Sequence, residues 1–103
     1  MALETFPVDL APFYEDEEAQ EELLNDALAT GHAGYIASAL GVIARARGMS
    51  ALSAEIGVKR QQLYRALSKN GNPTLETLTQ VLSALGFRLS AARDPNGKDR
   101  RAA

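Results

Sequence analysis

Five side chains within seven residues carry most of the chemistry in this sequence: Lys59, Arg60, Gln61, Tyr64 and Arg65. Arg and Lys donate to guanine O6 and N7, and Gln pairs with adenine N6 and N7. A Tyr can bond a phosphate through its hydroxyl or touch a thymine methyl with its ring. Gln62 beside them, and Ser50, Lys69 and Asn72 around them, are candidate phosphate contacts, as are Ser68 and Asn70. Phosphate contacts set register, whereas base contacts set sequence preference. The plainer alternative is a helical hairpin with a solvated basic face. The two differ in what holds the side chains outward.

Residues 49–68 supply that constraint. With Met49 as the first position of a helix-turn-helix, the apolar packing positions fall on Leu52, Ile56, Val58, Leu63 and Ala66. Leu52 and Ile56, four apart, bury one face of a first helix. Ser53 is the small residue where two helices touch, and Gly57 supplies the turn, since glycine adopts positive φ without strain. Leu63 and Ala66 face inward on the second helix, so residues 59–61, 64 and 65 face outward. They occupy the part of such a helix that enters a major groove.

Those residues need elements around them. Residues 16–30 read as a helix, with acids crowding its positive end and Leu23, Leu24, Ala27 and Leu28 as its stripe. Residues 33–47 read as a second, with Tyr35, Ile36, Ala39, Leu40 and Ile43 at helical spacing and Arg45 and Arg47 in its last turn. Ser50 is placed to cap a third, 51–56. A fourth runs over 59–69. Thr74 caps a fifth, 75–85, with Leu75, Leu78, Val81, Leu82 and Leu85 on one face. The alternation at 87–91 predicts a short β-strand, which needs a partner, such as a symmetry mate or another protein's sheet edge. The expected architecture is all-α, with five helices, an N-terminal arm and that strand. We divide it into an acidic arm and helix (1–31), a helix-turn-helix domain (32–91) and a disordered tail (92–103).

Charge splits along the same line. Residues 1–44 hold nine acids and no Lys or Arg. Residues 45–103 hold all 11 basic residues and four acids, for a local charge of +7 within a net −2. Such asymmetry points to electrostatically different partners for the two halves. There is no cysteine, which excludes disulfides and thiolate metal sites and fits a reducing cytoplasm. No leader-like start is expected, and no run approaches the roughly 20 apolar residues of a membrane span.

The run from Ile43 to Gly57, then 58–68, then Asn72, Pro73, Thr74 and Leu75, and finally 81–86 resembles the Cro/C1 repressor-type helix-turn-helix family. Ala39-Leu-Gly-Val-Ile-Ala-Arg-Ala-Arg-Gly48 and Leu63-Tyr-Arg-Ala-Leu-Ser68, followed by Gly71, Asn72 and Pro73, look closer still to HigA-like antitoxins, the addiction module antidote proteins. The acidic start over 16–25 does too. The resemblance covers residues 6–91. It implies a homodimer that represses its own promoter by binding double-stranded operator DNA and neutralises a RelE/ParE/HigB-like toxin, often a basic ribonuclease. Repressors of the broader family often place Gln at the first motif position to anchor phosphate. Met49 stands there in this chain, with Ser50 beside it as the replacement.

Two alternatives accompany this reading. One is a plain transcriptional regulator without a toxin. The other is a protein-interaction module that has lost DNA binding, favoured by the acidic first half. The acidic helix is either a toxin-binding surface or a solvated face, and the arm with Phe6, Phe13 and Tyr14 either docks on a partner or packs on its own domain. Catalysis has little to build on. Pairs such as Glu17 and Glu21 have no neighbouring base, nucleophile or pocket in the pattern. His32 is the only histidine, so no metal set is expected, and it reads as a surface residue or helix cap. No cofactor motif is present.

Overall fold

Residues 33–47 form the helix around which the rest assembles. The computed structural model describes residues 9–96. Among these are a short 3-10 turn, Ala11–Tyr14, and five α-helices: α1 Glu17–Thr30, α2 Ala33–Arg47, α3 Met49–Ile56, α4 Arg60–Ala66 and α5 Leu75–Ala84. In α2, Ala37 and every residue from 39 to 44 are buried. A helix covered on nearly all sides is a central one. The 3-10 turn, α1 and α3 pack against it, while α3 also contacts α4 and α5. The core joins Leu24, Leu40, Ile43, Met49, Leu52, Leu63, Leu67, Val81, Leu82 and Leu85. Of these, Met49 and Leu67 were not among the expected inward positions.

Local chemistry sets the helix ends. The Asp16 carboxylate caps α1 by accepting from Ala19 N–H (3.1 Å). His32 caps α2, its Nδ1 accepting from Tyr35 N–H (3.2 Å). Thr74 caps α5, accepting from Thr77 N–H (3.1 Å). Arg47 closes the far end of α5: its Nη2 donates to Leu85 O (2.8 Å) and lies 3.7 Å from Glu17. One side chain thereby ties α1, α2 and α5 together.

Several expectations need correction. Ser50 is not a cap. Gly48 already ends α2, donating to Ala44 O (2.8 Å), and starts α3 by accepting from Leu52 N–H (3.1 Å). With one residue joining the helices, Ser50 falls inside α3, exposed. The fourth helix is shorter than expected because Leu67 leaves helical geometry (φ −100°, ψ 46°) to enter the core. Leu75 does not face inward; it is 70% exposed at the first position of α5. Tyr35 is 45% exposed.

Residues 87–91 form no strand, and no strand is present among the described residues. The alternating pattern was real, but a ladder needs a second strand and none lies among the described residues. Phe87 N–H instead returns to Leu82 O (2.8 Å), which folds the segment back on α5.

The arm is expected over 1–14, of which 1–8 lie outside the described residues; so do 97–103 of the tail. An arm read from its two prolines and scattered apolar residues is expected to be extended, but over 9–14 the chain turns. Asp9 Oδ1 accepts from Ala11 N–H (3.0 Å) and from Arg45 Nε (3.1 Å). Ala11 is buried and Tyr14 half-buried against the domain, while Phe13 is 72% exposed.

The Ala11 N–H, the largest influence, holds the Asp9 carboxyl below its usual range; burial opposes it, and the hydrogen bond and charge of Arg45 add to the lowering. A lowered folded pKa stabilises above the ordinary Asp value, and that contribution is lost as pH falls through the lowered one. Arg45→Ala is therefore expected to raise the Asp9 titration midpoint only part of the way back, since the Ala11 N–H remains. Carboxyl-carbon NMR titration reads this directly.

Candidate nucleic-acid interface

Ser53 and Gly57 build the corner between α3 and α4. Gly57 has φ +74°, and its N–H donates to Ser53 O (2.9 Å). The Ser53 hydroxyl then reaches across the turn and donates to Val58 O (2.5 Å). A larger residue at 53 would meet the turn, which is why a small one stands there. Any other L-residue at 57 is strained by its own backbone, at a cost of about 1–2 kcal/mol. Gly57→Ala is expected to lose roughly that much stability, measured by urea unfolding, because no neighbour lies within 4 Å to add a clash.

Beyond the corner, Lys59 is extended and α4 begins at Arg60. Leu63 is fully buried, Leu67 is 2% exposed and Ala66 is half-buried. Those inward positions turn Arg60, Gln61, Tyr64 and Arg65 outward, with Gln62 at the side, and all five are exposed. The Arg60 guanidinium lies 5.5 Å from the Tyr64 ring centre. Such an exposed cation–π contact is worth about 0.5–1 kcal/mol, and it holds the two side chains together at the surface. Among the described residues the ion pairs are Arg45–Asp9 and Arg47–Glu17. The cations at 59, 60, 65 and 69 are therefore not neutralised by described carboxylates. Ser50 on α3, and Lys69 and Asn72 past the end of α4, are exposed on flanking elements.

The sequence reading missed what seats α4. The segment after it runs so close to α2 that a Cβ on Gly41 would stand 2.1 Å from Leu67 O, and one on Gly34 would stand 2.6 Å from Lys69 O. The available signal was two glycines seven residues apart inside a helix, a placement that lowers helix stability unless packing requires it. It also missed Gln20. That side chain is 1% exposed on α1, with Nε2 donating to Tyr14 O (2.7 Å) and Oε1 lacking a partner.

Over residues 4–93 the sequence matches the family described as probable addiction module antidote protein. The chain belongs to that family. The match spans all five helices, so it takes in both the basic face of α4 and the acidic face of α1. A protein of Haemophilus influenzae, described only as an uncharacterized protein, is 42% identical over 80 residues, which covers 78% of this chain and 82% of that one. No solved structure matches. An antidote has a toxin as its counterpart, so a toxin partner of some kind belongs to this chain's role. Among the described residues no group of His, Cys, Asp or Glu is arranged to hold a metal ion, and no helix is long and apolar enough to cross a membrane.

Proposed function

We propose that this antidote binds its own operator as a homodimer, using α3 and α4 as a helix-turn-helix of Cro/C1 type. In this reading it is a HigA-like antitoxin, non-enzymatic, that neutralises a RelE/ParE/HigB-like toxin. The observation that carries the DNA half is the α4 face: cations and Gln61 turned outward by buried Leu63, with no described carboxylate to neutralise them. Lys59, Arg60, Gln61, Tyr64 and Arg65 address bases, while Ser50, Gln62, Lys69 and Asn72 address phosphates. Two copies would set their α4 helices about 34 Å apart, in successive major grooves of a palindromic site.

Fluorescence anisotropy on the DNA upstream of the chain's own reading frame tests this. Specific binding is expected, with log affinity falling against log salt at about −0.9 per neutralised phosphate. The acidic α1 favours one rival, an antidote that has lost DNA binding. A salt-insensitive or absent interaction with that DNA, alongside tight binding of a toxin, would establish the rival instead.

A further inference from the structure

The segment after α5 stands away from α1 and leaves a groove of about 540 Å³ between them. Its floor is apolar: Leu24, Leu82 and Leu85 line it and are all buried in the core. Its α1 wall is acidic, with Glu17 and Glu21 along the edge, while Arg47 and Arg88 line the opposite side. Gln20 lines the same wall, and its buried Oε1 is an acceptor that no described donor fills. Leu28 and Leu89, 38% and 45% exposed, stand at the groove's border.

Apart from Glu17, the charge on α1 has no cation partner among the described residues. Glu17 and Glu21, Glu18 and Glu22, and Glu22 and Asp26 are spaced four apart, where like charges repel and destabilise a helix. Among the described residues only Glu17 of these has a cation partner, Arg47 at 3.7 Å. Glu21 and Asn25 also border a second hollow on the other side of α1, so the acidic surface continues past the groove. A partner bringing positive charge would relieve that repulsion, while nucleic acid would aggravate it.

We infer that this groove is the docking site for a Lys- or Arg-bearing segment of the toxin partner. The segment lays an apolar side chain between Leu28 and Leu89, above the floor of Leu24, Leu82 and Leu85, and aligns its cations with Glu21 and, in competition with Arg47, with Glu17. This inference rests on the antidote reading. A second copy of this chain fits less well, because four of its seven exposed described cations, Lys59, Arg60, Arg65 and Lys69, lie on or beside α4, and seating them on α1 would remove the face proposed for DNA.

The test uses the full chain and the purified product of the adjacent reading frame, with affinity read by calorimetry. Glu17→Gln/Glu21→Gln is expected to weaken binding tenfold or more and flatten its salt dependence, leaving upstream DNA affinity unchanged. Leu28→Ala/Leu89→Ala, which alters exposed positions outside the core, is expected to weaken it several-fold with an unchanged melting curve. Glu55→Gln/Glu76→Gln, which removes acids away from α1, is expected to bind like wild type. Wild-type affinity in both groove variants overturns the docking site and leaves the antidote reading standing. No complex with the wild-type chain overturns both. If Glu17→Gln/Glu21→Gln dissociates the homodimer in sedimentation, the groove is a contact between copies and the inference fails.

Discussion

Gly41→Ala is expected to lower the melting temperature by roughly 10–20 °C, against the direction that helix propensity alone dictates. In an open helix this substitution stabilises by up to about 1 kcal/mol, since Ala loses less backbone entropy than Gly. Here the new methyl would stand 2.1 Å from Leu67 O and 3.3 Å from Leu67 C. Those are backbone atoms, and Leu67 cannot swing away. Its side chain is 2% exposed in the core, and its N–H is bonded to Leu63 O (3.0 Å). Relief requires α2 to part from the end of α4. Overpacking of this kind costs about 1–3 kcal/mol, occasionally more, and each kcal/mol shifts a domain of this size by about 4–8 °C. Because Leu63 and Leu67 seat α4, the variant should also bind operator DNA more weakly below its melting point. A circular-dichroism melt at or above the wild-type temperature would show that the α2–α4 approach is looser than described.

That contact marks where the sequence stopped being legible. The packing positions at the α3–α4 corner could be read because they are local: Leu52, Ile56, Gly57, Val58 and Leu63 are constrained by neighbours within a dozen residues. The helix caps read at His32 and Thr74 are local too, and both bonds are formed, whereas the one read at Ser50 is not. Gly34 and Gly41 owe their identity to residues 67 and 69, some 26 to 35 positions away. A pattern within α2 shows that something comes close without showing what. Leu67 looked like the interior of a longer helix because nothing nearby says that the chain must turn inward there. The alternation over 87–91 was a sound local signal, but the ladder it needs lies outside any local window. Gln20 was hidden for the opposite reason: in a run of acids it looks like one more solvated residue, and only the packing of the 3-10 turn over α1 buries it.

Arg60→Ala and Arg65→Ala are each expected to weaken operator binding by roughly 1–3 kcal/mol, about 5- to 150-fold, if the lost contact is bidentate to a guanine. Both side chains are exposed on α4 and outside the core, so the melting curves should change little. Discrimination is the sharper readout. An Arg that reads O6 and N7 imposes a preference at one base pair, and its removal relaxes that position alone, whereas Lys69→Ala should weaken binding to every sequence about equally and flatten the salt slope by about one unit. Arg60 carries a further consequence of its place over Tyr64. The 5.5 Å stacking pair limits where the guanidinium can go, and an Arg held near its bound geometry loses less entropy on binding. Tyr64→Ala should therefore lower the specificity that depends on Arg60, even at base pairs Tyr64 does not touch, while leaving the salt slope intact. Gel-shift titrations on the operator and on singly substituted sites separate these outcomes. If both Arg variants bind as tightly and as selectively as wild type, α4 does not read the operator, and the interface must be sought on another face.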